Sequence, residues 1–211
     1  KRYKGTASAP FVPSFFGAYK KGDWTFSGSF AVVGGGGKAS FDDGLPMFDS
    51  MVMAALYKGS STLLKPGMYT INSAMDGRQF IYGVQLGLSY KVNDWLAVFA
   101  GGRMNYFTGG YEGFLSARVN DDIPQFGGKE MATIKLDCDQ TGWGLTPILG
   151  ADLKFGKWNI GLKYEFMANL NIENKTKLNE MNGEEDALAD YKDGVNTPND
   201  IPALLTAAVG Y

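Results

Sequence analysis

The chain has 211 residues, 45% of them hydrophobic and 14% aromatic, with 29 glycines and a formal net charge of −2. That charge balance argues against a nucleic-acid partner, which needs a basic face, and no window approaches the roughly 18 uninterrupted apolar residues of a transmembrane helix. Histidine is absent and Cys138 is the single cysteine, which excludes Ser-His-Asp and Cys-His catalysis, histidine-containing zinc sites and an internal disulfide.

An enzyme built from these residues would rely on carboxylate, lysine or tyrosine chemistry, and no spacing points to it; no cofactor and no metal are expected. The opening KRYKGTASAP has no apolar core, so any secretory leader is expected to be gone already.

In chain order, the first two predicted strands, 11–20 and 24–36, form a hairpin, FFGAYKKGDWTFSGSF (15–30). Its plan recurs in GLSYKVNDWLAVFAG (87–101) and GADLKFGKWNIGLKY (150–164): an alternating run, a short polar turn, a tryptophan and a second alternating run. Trp24, Trp95 and Trp158 fall at the same place in each. The second strand runs into AVVGGGGKASF (31–41), where four consecutive glycines must end the strand, bend it, or leave room beside the backbone.

A long loop, 34–77, is expected next, and MFDSMVMAALYKG (47–59) within it reads as a short apolar helix. Strands follow at 78–92 and 95–107, a loop at 107–140, strands at 141–154 and 158–173, a charged loop at 174–201, and a last strand at 202–211. From Phe80 one parity is apolar (Phe80, Tyr82, Val84, Leu86, Leu88, Tyr90) and the other small or polar (Gln79, Ile81, Gly83, Gln85, Gly87, Ser89, Lys91). The runs after Trp143 and Trp158 split the same way.

A soluble sandwich would bury the apolar parity as its core. Two features favour another arrangement. The runs exceed the usual strand of about 5–6 residues and suit tilted strands crossing a bilayer, which need about 9–11. The connections are also lopsided, with tight turns at 20–23, 91–94 and 154–157 against long loops at the other end. Short turns, long loops and aromatics flanking an apolar band describe a bacterial outer-membrane β-barrel. The expected fold is therefore all-β, a transmembrane antiparallel β-barrel, with 1–211 as part of a single barrel domain. The tryptophans would anchor one membrane interface. Seven strands is an odd count, and single-chain bacterial barrels are even-numbered, so further strands are expected beyond both ends.

APFVPSFFGAYKKGDWTFSGSFAVVGGGG, the YKVNDW hairpin, GWGLTPILGADLKFGKWNIGLKYEF and YKDGVNTPNDIPALLTAAVGY resemble the FadL/TodX-type outer-membrane transporters of hydrophobic compounds, in the form found in Bacteroides-like bacteria. The resemblance implies a 14-stranded barrel with an N-terminal hatch, of which about seven strands would lie here. It further implies passive transport of long-chain fatty acids or hydrocarbons, capture by an extracellular helical loop, and lateral release through a kinked strand.

Met47, Phe48, Met51, Val52 and Leu56 are the candidate capture residues, since methionine adapts to varied apolar shapes; the alternative is a cap that packs on its neighbours. Phe99 and Arg103 share the polar parity of their strand and would offer an apolar wall and a carboxylate partner. Arg103 could instead join Glu112, Asp152, Lys163 or Glu165 in a polar network. Gly34, Gly35, Gly36 and Gly37 are the candidate lateral-opening kink, or else a strand-to-loop hinge. The expected partners are hydrophobic small molecules and outer-membrane lipid, with the protein a monomer. A non-transporting barrel serving as a docking scaffold for secretion or surface assembly is the principal rival, and a lipid-acting barrel enzyme a second.

Overall fold

The computed structural model describes residues 2–9, 11–60, 65, 67–182 and 185–211. Ten strands form one antiparallel sheet: β1 (Thr6–Ser8), β2 (Ser14–Lys21), β3 (Trp24–Phe41), β4 (Tyr69–Lys91), β5 (Leu96–Val119), β6 (Glu130–Phe155), β7 (Trp158–Glu165), β8 (Asn171–Asn182), β9 (Asn196–Pro198) and β10 (Leu204–Gly210). One helix, α1 (Pro46–Ser60), joins β3 to β4, and a 3-10 segment covers Glu185–Tyr191.

The ten strands trace seven paths. β1 and β2 lie end to end along β3, β7 and β8 end to end along β6, and β9 and β10 end to end along β8 and β7. Consecutive paths are neighbours throughout, an up-and-down meander. Among the described residues β2 and β10 each have one partner strand, so both edges of the sheet are open.

Two hairpins close in two residues, with Lys21 opposite Trp24 and Phe155 opposite Trp158. Their first turn residues, Gly22 and Gly156, both take φ 60°, which glycine adopts without a Cβ penalty. The third is held by Asn93, whose Oδ1 accepts from the backbone N–H groups of Trp95 (3.0 Å) and Leu96 (2.8 Å). At the other end the strands run far beyond the expected bounds. β4, β5 and β6 have 23, 24 and 26 residues, and at about 3.4 Å per residue they are roughly 80 Å long.

About half of the residues in the predicted long loops are therefore strand. β3 continues to Phe41, β4 begins at Tyr69, β5 reaches Val119, β6 starts at Glu130, and β8 runs through the charged segment to Asn182. The ladder there is held by the same backbone hydrogen bonds, but the apolar residues, Ile71, Leu115, Ala117, Ala132 and Ile134 among them, now lie on the covered face and the polar ones on the exposed face. Strands 11–20, 158–173 and 202–211 also change. The first starts at Ser14 with β1 ahead of it, the second divides between Glu165 and Asn171, and the third starts at Leu204 with β9 ahead of it.

Register assigns the faces. Residues paired across an antiparallel ladder share a face, which puts Phe15, Phe26, Phe30, Leu86, Met104, Leu145, Leu149, Leu162 and Val209 together. This apolar face is exposed: Leu86 is 67% and Trp143 71% accessible. The buried residues lie on the opposite, covered face. There α1 packs Val52 and Phe48 on Ile71, Leu115, Ala117, Ala132 and Ile134. Nearer the hairpins Phe107, Leu170 and Ile172 cluster with Ile81 and Ile201. The arrangement is the inverse of a soluble sandwich, in which the apolar parity would be the packed one.

Candidate functional site

The four glycines neither end β3 nor hang loose. Val32 pairs with Tyr82 and Gly34 with Ile81, leaving Val33 unpaired; Gly35 pairs with Phe80 and Gly37 with Gln79, leaving Gly36 unpaired. These are two β-bulges within four residues, each adding one residue to β3 and increasing its local bend and twist. Gly35 and Gly36 have φ of 70° and 116°. A Cβ on Gly35 would stand 2.4 Å from the Gln79 carbonyl oxygen, and one on Gly37 would stand 2.6 Å from that of Ser8. Glycine is required at Gly35 both by conformation and by space.

On the other side of β3 the ladder is interrupted at the same level. β1 pairs with β3 from Ser40 to Lys38 and β2 resumes at Ala31. Among the described residues nothing pairs with Val32–Gly37 on that side. The sequence there, APFVP, contains two prolines without an N–H to donate. Phe11 and Val12 beside the gap are 73% and 54% exposed, as is Val33 at 40%. Sequence reasoning found the glycines but assigned residues 11–13 to a strand; the two prolines were the signal that could have located the gap.

Phe99 lies on the covered face against three glycines. A Cβ on Gly87 or Gly101 would fall 2.2 or 2.8 Å from its ring, and one on Gly150 would lie 3.3 Å from its Cβ. The ring thus fills the space that side chains would occupy. Arg103 is engaged by Glu165 through both terminal guanidinium nitrogens, with Nη1 3.3 Å from Oε1 and a short contact from Nη2 to Oε2. Lys163 adds an ion pair to Glu165 at 2.8 Å. Arg103 Nε donates to Asn105 (3.1 Å), and Asn105 Nδ2 donates to Thr146 Oγ1 (2.8 Å). Asn105 and Thr146 are fully buried, and Glu165 is nearly so. Of the four residues offered for a polar network with Arg103, Glu165 is its direct partner and Lys163 joins through Glu165, while Asn105 and Thr146 are not singled out by the sequence because polar residues on that parity read simply as polar.

The helix residues divide. Phe48 and Val52 pack onto the sheet, whereas Met47 and Met51 are exposed at 59% and 52%. Leu56 lies on α1, but its side chain falls outside the described residues. Asp49, in the first turn of α1, accepts a hydrogen bond from Tyr3 at 2.7 Å, tying the N-terminal segment to the helix.

Trp24, Trp95 and Trp158 all lie at the hairpin end of the apolar face. Each meets an aromatic from a neighbouring strand or its end: Trp24 with Tyr90 (4.5 Å), Trp95 with Phe155 (5.9 Å) and Trp158 with Tyr211 (4.9 Å). A second aromatic row, with Tyr82, Tyr106 and Trp143 on one rung, crosses the same face further along the strands.

Compared with family models, curated proteins and solved structures, the chain matches none.

Proposed function

We propose that the sheet is part of the wall of a bacterial outer-membrane β-barrel that passes hydrophobic molecules, such as long-chain fatty acids, sideways into the membrane. The exposed apolar face would meet lipid, with the two aromatic rows at the interfaces. From Tyr82 to Tyr90 plus one flanking residue each way is about ten steps, or roughly 34 Å along the strand. At a tilt near 40° this stands about 26 Å tall, matching the roughly 25 Å apolar band of such barrels. Further strands pairing with β2 and β10 would close the wall, 14 in all by the resemblance to the FadL/TodX-type transporters.

The observation that carries the transport reading is the coincidence of two bulges in β3 with the break between β1 and β2. The bulges bend one strand while its neighbour withdraws its hydrogen bonds, and apolar Phe11, Val12 and Val33 line the place. Met47 and Met51 would collect ligand above it. Arg103, held by Glu165, would brace the wall, and Phe99, four residues nearer the hairpin end of β5, would add an apolar surface to the covered face.

Deleting Val33 and Gly36 together removes the two unpaired residues and leaves every paired residue on its original face. The deletion should leave a folded barrel with an uninterrupted β3–β4 ladder and abolish uptake of a fluorescent fatty acid into reconstituted vesicles. Uptake at the undeleted rate would overturn lateral release and leave the docking-scaffold alternative.

A further inference from the structure

The covered face carries one apolar rung between small or polar ones. Across β3, β4, β5, β6 and β8 the register aligns Gly34, Ile81, Phe107, Gly142 and Ile172. The next rung toward α1 is Gly37, Gln79, Gly109, Gln140 and Asn174. Toward the hairpins come Ala31, Gly83, Asn105 and Gly144, then Ser29, Gln85, Arg103 and Thr146. The apolar rung therefore crosses the strands as a strip one side chain high.

One end of the strip opens on the bulges of β3. A Cβ on Gly34 would stand 2.9 Å from Ile81 Cδ1, so the missing side chain leaves half-buried Ile81 bordering the gap. Val33, the unpaired residue of the first bulge, turns its side chain onto the same face. A Cβ on Gly83 would fall 2.7 Å from Val33 Cγ1 and 2.9 Å from Arg103 Cδ. Val33, Ile81 and the Arg103 stem line the covered side of the gap beside Val32–Gly37.

The other end is closed by a second break in the ladder. β6 pairs with β7 as far as Ile148–Glu165 and with β8 from Trp143–Asn171, so residues 144–147 face the irregular segment 166–170. Pro147 has no N–H to donate there, and its carbonyl accepts from Phe166 N–H at 2.9 Å. The segment then leaves the sheet toward the covered face. A Cβ on Gly142 would collide with the carbonyl oxygen of Asn171, and one on Gly144 would stand 2.6 Å from that of Asn169. The adjoining segment follows, since Ala168 and Ile201 exchange both backbone hydrogen bonds, at 3.0 and 2.9 Å. Asp200 also accepts from Leu170 N–H at 3.1 Å. This lodges Leu170, fully buried, and Ile201 against Phe107 and Ile172.

Width and chemistry select an occupant. Rungs on one face are two residues, or about 7 Å, apart along the strand, which leaves the strip the width of a single hydrocarbon chain. A broader apolar body would also cover the Gln79, Gln140 and Asn105 amides, which is costly for polar groups left without partners. From Val33 to Phe107 is two strand spacings, about 10 Å. With C–C bonds of about 1.5 Å in a zigzag, that length takes about eight carbons.

Resting on the transport reading above, we propose that this strip holds the unbranched alkyl tail of the cargo, laid across the strands with its end against Leu170 and Ile201. Those two residues are a stop that sets the tail length the site accepts. The second break in the ladder is what places the stop, because a regular β7–β8 path would keep Leu170 in the plane of the wall.

The test uses the intact protein in phosphatidylcholine nanodiscs, with empty nanodiscs as the blank. It measures displacement of a fluorescent fatty acid by saturated fatty acids from hexanoic to hexadecanoic. Each methylene buried on the strip adds about fourfold in affinity, so wild-type affinities should climb at that rate and level off once the strip is filled. Leu170→Ala should move the levelling point about two to four carbons longer, since one strand spacing is about 4.8 Å. Ile81→Phe, which fills the open end, should move it to shorter chains. Leu162→Ala, on the exposed face, should leave the profile unchanged.

Displacement above the blank with one levelling point shared by wild type, Leu170→Ala and Ile81→Phe would overturn the stop and leave the transport reading intact. Should Leu170→Ala fail to fold, Ile81→Phe decides alone. Equal affinity for a branched tail of the same carbon count would overturn the single-chain strip. No displacement above the blank at any length would overturn the transport reading as well.

Discussion

At Gly35 a positive φ coincides with a Gln79 carbonyl oxygen 2.4 Å from where a Cβ would stand. Gly36 has a more extreme φ but open space around it, and Gly34 has an ordinary φ with only the movable Ile81 Cδ1 nearby, at 2.9 Å. The consequences of alanine should be ordered accordingly. Gly35→Ala should be the most damaging, Gly36→Ala should cost about 1–3 kcal/mol from backbone strain, and Gly34→Ala should cost least. Thermal unfolding of the three variants checks the order; equal loss at all three would mean that the bulges do not impose these conformations. A valine at Gly35 or Gly36 is consequently a poor probe of transport, because it would strain the strand as well as obstruct it.

The carboxylates above the band make a second residue-level prediction. Lys177, and after it Arg78, hold Asp139 below the ordinary carboxylate range, and Lys38, with Ser40, does the same for Asp76. A depressed folded pKa contributes stability that is present above the unfolded value, near 3.9, and is lost as pH falls through the folded one. Unfolding midpoints should hold steady from pH 8 to about 5 and drop below about 4, with Asp139→Asn showing a shallower drop. An unchanged acid profile in that variant would assign the acid sensitivity elsewhere.

At the scale of elements, α1 joins two roles on one helix. Val52 and Phe48 are one turn apart and face the sheet, while Met47 and Met51, also one turn apart, face outward. Val52→Asp buries a carboxylate among Leu115, Ala117 and Ile71 and should release the helix, making residues 42–60 protease-sensitive without unfolding the strands. Met47→Ser with Met51→Ser should leave protease resistance unchanged and reduce binding of a hydrophobic probe several-fold. Probe binding that survives the methionine changes would reduce α1 to a packed cap.

The contrast shows what the sequence could reveal. Helical spacing located α1 within a residue or two of its observed ends, and strict alternation located the band portions of β3 to β7. In the outer portions of β4, β5 and β6 the apolar residues shift to the opposite parity, with Ile71, Leu115, Ala117, Ala132 and Ile134 on the covered face, so the pattern set by the band breaks and these segments read as loops. A run of glycines has no parity to read, so the two bulges could be seen only once β4 was set beside β3. The Arg103–Glu165 pair likewise joins β5 to β7 across β6, a proximity that depends on register and that residue types alone left among four alternatives.

At the scale of the molecule, the question is which solvent the apolar face meets, and a single pair of neighbours can answer it. Leu86 lies mid-band on the exposed face, 67% accessible, and Gln85 lies beside it on the covered face. If the exposed face met water, Leu86→Arg would behave as an ordinary surface change, within about 0.5 kcal/mol. In a bilayer an arginine at the midplane of a barrel's lipid face costs about 2–4 kcal/mol, whereas Gln85→Arg would face the polar side and cost much less. The decisive measurement is the difference between the two variants, by reversible folding into lipid vesicles. A large penalty confined to Leu86 supports the membrane reading, because burial against lipid is what makes a position that is open in the isolated sheet intolerant of charge. Near-equal, small penalties would return the apolar face to water or to a protein partner, and with it the argument that the aromatic rows mark two interfaces.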